Sequence, residues 1–425
     1  MADRAVADGA RQLAPADARS AVGRVPPVQR EPLGRVLALS FARSVPRYAL
    51  VKAAGGRPSV ATSPFAPLFL DDVEEPALPG PEWVRVFPRV SGICGSDLSA
   101  LGGHASYYLD ALTSYPFIPG HEMVADADGS RVVVEPALGC RVRGVEPPCP
   151  RCAEGRPGLC QNLTEGPIEV GLQTGYCQST GGGWGEVVVA HPSQLHQVPE
   201  ALPDEAAVLV EPFACCVHAA LRAGATRDDV VLVFGAGTIG LLTIAAVRRF
   251  TPPKRLIAVA KHGHQRELAR ALGADQVVPP DEVYQRLRFA TGARRLESLD
   301  RPLLLGGADV TFECIGRADS LNDAVRVTRG GGKLVAVGMP GAEKVDWAPI
   351  WQRELTVMGA YAYGTEASGR STFELALEAA PELRLDRLTG PLFALSEYRE
   401  AIEYAMRAGA LNAVKVAFDL RGLRL

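Results

Sequence analysis

Residues 230–240 read Val-Val-Leu-Val-Phe-Gly-Ala-Gly-Thr-Ile-Gly, and this stretch limits the architecture more sharply than any other. Five consecutive apolar residues with no polar alternation describe a strand covered on both faces, the kind found in parallel sheets. Parallel neighbours need a crossover connection, normally a helix. The sequence supplies one over residues 239–249, then further apolar runs at 255–259, 309–312 and 333–337. Strands alternating with helices predict an α/β domain with a doubly wound parallel sheet. Gly235, Gly237 and Gly240 fall at the positions of G-x-G-x-x-G. In a strand–turn–helix context the first glycine permits the tight turn. The second lets backbone approach a pyrophosphate, and the third lets helix and strand pack closely. The helix start then offers unpaired N–H groups to the phosphates. The expected dinucleotide contacts are Gly235, Gly237, Thr238, Ile239 and Gly240.

The end of the next strand bears on which dinucleotide fits. A carboxylate there would bind a ribose 2′-hydroxyl and repel a 2′-phosphate. The residues are Ala258, Val259, Ala260, Lys261, His262, Gly263 and His264, with no carboxylate and a cation at once. This favours NADP(H) over NAD(H), with Lys261 and Arg266 beside the 2′-phosphate.

A chain of 425 residues exceeds one typical core, so a second domain is expected. Residues 46–203 supply it: short β-rich pieces at 83–86, 131–134 and 186–189 are broken by glycine and proline, as in an irregular, mostly antiparallel β domain. A helical stretch at 204–223 leads into the parallel domain, and a helix at 398–407 and a strand at 413–418 close the chain. The expected division is a flexible extension over residues 1–45, a dinucleotide domain over 206–359, and a β domain formed by 46–205 with 360–425. Structure is expected to begin near Tyr48. A formal net charge of −3 gives no support for a nucleic-acid partner. No apolar run reads as long enough to span a bilayer, and no signal peptide is evident. The expectation is a cytoplasmic protein with no membrane partner.

Four of the nine cysteines crowd together: Cys140, then Cys149 and Cys152 in C-x2-C spacing, then Cys160. Without a secretory signal, metal ligation is the better reading than disulfides. Four thiolates enclose a tetrahedral zinc with no open position, which is a structural site. Upstream lie Cys94, Ser96 and Asp97, then Gly120, His121 and Glu122. A thiolate, an imidazole and a carboxylate plus water form the pattern of a catalytic zinc. Glu211, on the way into the parallel domain, is a further candidate to ligate or to hold the bound water. Two zincs per chain are therefore expected.

Together these motifs make the chain resemble the zinc-dependent medium-chain dehydrogenases/reductases, the alcohol, polyol and threonine dehydrogenase group. The resemblance covers roughly residues 47–425. It is carried by Ile93–Asp97, Pro119–Glu122, the Cys149/Cys152/Cys160 spacing, Glu211-Pro212 and the glycine turn. It implies a GroES-like β domain beside a Rossmann domain. It also implies Cys94 and His121 as catalytic-zinc ligands, with Glu122 a ligand in some members. The Glu-Pro at 211–212 is similar to the polyol and threonine types. Three departures stand out. Eight residues, 141–148, separate Cys140 from Cys149 where the family has two. Ser99 stands where many members carry a proton-relay histidine. Ala260 replaces the usual acidic residue.

The implied activity is hydride transfer between a small-molecule alcohol or polyol, or the matching carbonyl compound, and NAD(P). Ser96 would contact the substrate oxygen and take its proton outward, and Asp97 would orient the site. Residues 101–117, with His104, Tyr107, Tyr108 and Tyr115, should contribute to the substrate cleft. A homodimer or homotetramer is implied. The alternatives are a zinc-free quinone or enoyl reductase of the same superfamily, or a binding protein that keeps the fold without catalysis.

Overall fold

A computed structural model describes residues 34–366 and 369–424. Its strands are β1 (Arg35–Phe41), β2 (Leu68–Glu74), β3 (Val84–Gly92), β4 (Met123–Ala127), β5 (Ser130–Val134), β6 (Val188–Ala190), β7 (Leu195–Gln197), β8 (Val230–Phe234), β9 (Arg255–Val259), β10 (Gln276–Val278), β11 (Arg294–Leu296), β12 (Leu303–Leu305), β13 (Ala308–Glu313), β14 (Thr328–Ala336), β15 (Thr356–Gly359), β16 (Thr389–Ala394) and β17 (Lys415–Asp419). Two large sheets organise them. One has six strands in the order β10-β9-β8-β13-β14-β15, every neighbouring pair parallel. The order changes direction between β8 and β13, which places the crevice for a ligand at the carboxyl end of β8. The second sheet runs β16-β17-β3-β4-β5-β7 with β6 beside β3; it is antiparallel except for the β16–β17 pair.

The apolar run at 230–234 forms β8, and four of its five residues are buried. The helix Thr238–Phe250 leaves the glycine turn and buries Leu241, Leu242, Ile244 and Ala245 against the sheet. Helix Val210–Ala223 packs beside it, buried along most of its length by Val210, Phe213, Val217 and Ala220. The last strand, β17, returns to the antiparallel sheet and pairs with β3 at Gly92, Ser91 and Val90. That pairing brings the end of the chain behind Cys94.

Two expectations need correction. Ordered structure begins well before Tyr48: β1 pairs with β2 in a continuous antiparallel register, Arg35 opposite Glu74 to Phe41 opposite Leu68. Val36, Ala38, Leu39 and Phe41 are buried, so the apolar residues of this segment are a sheet face and not part of an extension. The rest of the expected extension, residues 1–33, lies outside the described residues. The helical run Asp204–Ala223 is long and apolar enough to cross a bilayer, contrary to the sequence reading; 83% of its apolar window is buried inside the protein. Its apolarity is accounted for by the core between the two sheets.

Candidate functional site

Cys94 ends β3's outgoing turn and caps the helix Gly95–Leu101. Its backbone N–H donates to Asp97 Oδ2 at 3.0 Å, so the thiol and the carboxylate are fixed by the same turn. His121 and Glu122 directly precede β4. The ligand atoms of Cys94, His121 and Glu122 all lie within 4.8 Å of one another. His121 and Glu122 are buried, and Cys94 is partly so.

The surroundings of this trio are rich in anions. Asp97 Oδ1 stands 3.6 Å from His121 Nδ1, a buried nitrogen with no hydrogen-bond partner. Burial opposes a charged imidazole at 121, yet Asp97, Cys94 and Glu211 outweigh it and raise the His121 pKa well above its usual value. Burial also raises Asp97, against the pull of His121. Among the described residues, one lysine answers this group: Lys415 of β17, fully buried, ion-paired with Glu122 and donating to Ile93 O at 3.1 Å. A buried pocket with a soft thiolate, an imidazole and surplus carboxylate is a good chemical match to zinc.

Glu211 is close by without joining the trio. Its Oε1 accepts from Tyr363 OH at 2.6 Å and from Cys215 Sγ at 3.7 Å. Burial pushes its pKa up to about 7, with His121 pulling the other way. The carboxylate sits on the wall of the same cavity as the trio.

That cavity encloses about 730 Å³. Cys94, Ser96 and His121 form its floor from the β domain, while Ile239, Ile315 and Val337 come from the parallel domain. The cavity is thus shared between the two sheets. Of the aromatic and histidine candidates in residues 101–117, Tyr107 and Tyr115 line it, whereas His104 and Tyr108 do not; Ser99 does. Tyr176 also lines it and was not singled out from sequence. Its OH lies 3.3 Å from Ser96 Oγ and 3.0 Å from Asp97 Oδ1, and its ring packs 5.6 Å from the His121 ring. Nothing in the residues around Tyr176 marks it; only the three-dimensional return of the chain does.

At the glycine turn, Gly235 has φ +93°, a conformation that favours glycine. A Cβ at Gly240 would collide with the Gly235 carbonyl, while one at Gly237 would meet nothing within 4 Å. The third glycine is therefore needed for packing and the second leaves open space above the helix start. At the end of β9, Ala260 is buried and Lys261 is exposed. Arg266 Nη1 donates to Lys261 O at 3.0 Å. Burial together with Lys261, His264 and Arg266 lowers the His262 pKa, so this corner is basic.

The four cysteines of the lobe come together despite the long spacer. All four sulfurs lie within 4.8 Å of one another, with Cys140 Sγ 3.6 Å from Cys160 Sγ. Backbone N–H groups point at sulfur: Cys149 to Cys140 at 3.3 Å, Cys152 to Cys149 at 3.5 Å, Gln161 to Cys149 at 3.4 Å and Asn162 to Cys160 at 3.4 Å. Such donors stabilise thiolates. Burial opposes ionisation, yet the N–H donors of Gln161 and Cys152 bring Cys149 down to about 6, while burial and its neighbours raise Cys152. One thiolate forms readily and the next are opposed, which a bound dication would relieve. The spacer is ordered by Arg143, whose guanidinium donates to the carbonyls of Leu138, Glu165, Ile168, Glu169 and Gly171 at 3.0–3.1 Å.

These arrangements define a two-domain zinc oxidoreductase class, and the comparisons agree. Residues 80–200 match the alcohol dehydrogenase GroES-like domain and residues 238–380 match the zinc-binding dehydrogenase family. The chain belongs to the zinc-dependent medium-chain dehydrogenases/reductases and is an oxidoreductase that uses a nicotinamide cofactor on alcohol groups. It is 31% identical over 363 residues to sorbitol dehydrogenase of Arabidopsis thaliana, covering 80% of this chain and 89% of the relative. It is 32% identical over 317 residues to L-threonine 3-dehydrogenase of Streptomyces coelicolor, covering 72% and 82%. A zinc-binding dehydrogenase of Sinorhizobium meliloti, solved with NADP, superimposes with a TM-score of 0.64 at 25% identity, covering 91% of this chain and 99% of that one.

Proposed function

We propose that the chain is a zinc-dependent, NADP(H)-preferring dehydrogenase of polyol-type alcohols, carrying two zincs. The observation that carries this reading is the convergence of Cys94, His121 and Glu122 within 4.8 Å on the wall of a cavity that also contains Ile239 and Val337 of the dinucleotide domain. Cys94 and His121 would hold the catalytic zinc, with Glu122 or Glu211 completing its set. Cys140, Cys149, Cys152 and Cys160 would hold the structural one. When bound, the catalytic zinc supplies a Lewis acid that lowers the pKa of an alcohol.

The remaining work belongs to side chains of this chain. Asp97 places its negative charge on the Nδ1 side of His121 at 3.6 Å and fixes the Cys94 turn by a hydrogen bond. Ser96 Oγ would accept the substrate hydroxyl's proton as it passes its own proton on, to Tyr176 OH at 3.3 Å or to water in the cavity, which carries it to solvent. With Ser99 in place of a histidine, this hydroxyl pair and water serve where an imidazole would otherwise act. The cavity walls from both domains hold the carbinol carbon against the nicotinamide and exclude bulk water. Hydride transfer itself is the cofactor's chemistry.

NADP(H) preference is supported by the basic corner at Lys261 and Arg266 and by Ala260 in place of an acid. The Sinorhizobium structure contains NADP, and the sorbitol and threonine dehydrogenases among the relatives support a polyol or amino-alcohol substrate. A homo-oligomer is supported by the edge position of β15 with Trp347, Trp351 and Val357 exposed beside it. All nine cysteines are free, which supports a reducing, cytoplasmic setting. The test is cofactor reduction over a panel of alcohols and polyols with NAD and NADP in parallel, with Cys94→Ala as control. Loss of turnover with NADPH binding retained is expected. Equal loss of both contradicts a catalytic role for this site.

A further inference from the structure

The connection between β1 and β2 is the least economical part of the β domain. Antiparallel neighbours such as these are usually joined by roughly 2–5 residues, and connections beyond about 15 are uncommon and usually functional. Here residues 42–67 intervene, carrying the helices Val45–Ala53 and Pro58–Ala61. This excursion is docked on the cavity. Ala42, Arg43, Ser44, Val45, Tyr48 and Ala49 all line the space that Cys94 and His121 line.

The docking is made against residues 102–115. Arg43 Nη2 donates to Asp110 Oδ2 at 2.7 Å, and its guanidinium lies 5.8 Å from the Tyr115 ring centroid. Lys52 Nζ reaches Tyr107 OH at 3.1 Å, and Tyr48 packs beside Tyr107 with ring centroids 6.1 Å apart. Burial and Asp110, which accepts from its OH, push Tyr115 up to about 12. Among the described charged side chains that line the cavity, Arg43 and Asp110 are the two that lie outside the Cys94–His121–Glu122–Glu211 group. They are paired with each other, so together they add no net charge to the cavity surface. Around them stand Tyr48, Tyr107, Tyr115 and Thr113.

We infer that the 42–67 excursion is a specificity wall in which the Arg43–Asp110 pair reads hydroxyl groups at the end of the substrate remote from Cys94, so that the substrate is a neutral polyhydroxylated compound. The inference rests on the alcohol-dehydrogenase reading of the same cavity. The chemistry follows from the balance of the pair. A guanidinium still has N–H groups to donate after one contact, and the carboxylate beside it can accept. Adjacent hydroxyls can satisfy both at once. An anionic group would gain from Arg43 only by displacing or approaching Asp110, so the pair disfavours phosphate or carboxylate at that end. The tyrosine rings offer apolar faces to the C–H surface of a sugar alcohol or cyclitol.

The experiment uses the full-length enzyme and initial rates with hexitols and cyclitols, their monophosphates, and butane-2,3-diol as a substrate too short to use both ends of the cavity. The wild type should prefer the neutral polyols to their phosphates by at least tenfold in kcat/KM. Arg43→Met should raise KM for the polyols about tenfold more than it raises KM for butane-2,3-diol. Asp110→Asn, which leaves Arg43 uncompensated, should shift the phosphate-to-polyol preference about tenfold toward the phosphates. Both side chains are substantially solvent-accessible, so the fold should tolerate either change, and unaltered NADPH fluorescence binding would verify this. A wild type that prefers phosphorylated substrates, or variants that shift every substrate equally, would overturn the inference alone. Absence of turnover across all alcohols would overturn the dehydrogenase reading and this inference together.

Discussion

Arg143 offers the most quantitative test of how the cysteine lobe is built. Its guanidinium is 1% exposed at the residue level and donates to five carbonyls, three of them in fully buried contacts: Leu138, Ile168 and Gly171. Burial lowers its pKa, while Cys177, Cys160 and Cys140 favour its charge. Arg143→Met keeps much of the volume and removes every donor. Leaving a buried acceptor unpaired costs about 1–3 kcal/mol, so three give roughly 3–9 kcal/mol. Water reaching the two less buried carbonyls, and local relaxation, bring the expected loss to about 3–5 kcal/mol, the range seen when a buried charged partner is removed. The loss falls on the segment that holds Cys140 against Cys149 and Cys160. The assay is zinc release to a chromogenic chelator, read with the thermal midpoint of the same sample. The variant should release one zinc per chain at least a hundredfold faster than wild type and unfold at lower temperature. Nicotinamide-cofactor binding, proposed for the other domain, should change little. Wild-type release kinetics and an unaltered midpoint would refute the claim that Arg143 organises the lobe.

Three further outcomes are expected. Lys415→Met should strand the buried Glu122 carboxylate and destabilise the protein by about 3–5 kcal/mol; denaturant unfolding measures this, and combination with Glu122→Gln should recover part of the loss. Lys261→Ala with Arg266→Ala should remove charge-assisted contacts worth about 1.5–3 kcal/mol each; kcat/KM for NADP should fall by about a hundredfold or more while that for NAD stays within about threefold. Gly240→Ala should abolish binding of both nicotinamide cofactors, because the added methyl meets the Gly235 carbonyl; tight NADPH binding by this variant in a fluorescence titration would contradict the packing argument.

The parallel domain was the more legible half of the chain. Its strands are buried on both faces, so hydrophobicity alone marks β8, β9 and β13, and glycine marks the turn that they serve. The zinc-site candidates were legible because thiol, imidazole and carboxylate have few other reasons to gather. What escaped the sequence reading are residues whose role depends on distant chain segments. Lys415 is an ordinary strand residue until β17 lies beside β3. Tyr176 sits in a loop that returns onto Ser96 from eighty positions away. Arg143 lies inside the spacer that departs from the family's cysteine pattern, and it ties that spacer to Leu138 and to residues 165–171. The segment 35–45 was misjudged for a different reason. A short apolar stretch followed by proline and glycine carries little periodicity, yet β1 gains its order from pairing with β2 across residues 42–67.

The central claim is that one open metal site, seated by Cys94 and His121, faces the nicotinamide crevice while a second, closed site is confined to the cysteine lobe. Zinc analysis of wild type and Cys94→Ala by plasma mass spectrometry, paired with turnover of the best alcohol substrate, tests it most directly. Two zincs per wild-type chain are expected, falling to one in the variant with turnover lost and NADPH still bound. A fully active wild type with one zinc or none, or a variant that keeps both metal and rate, would contradict it.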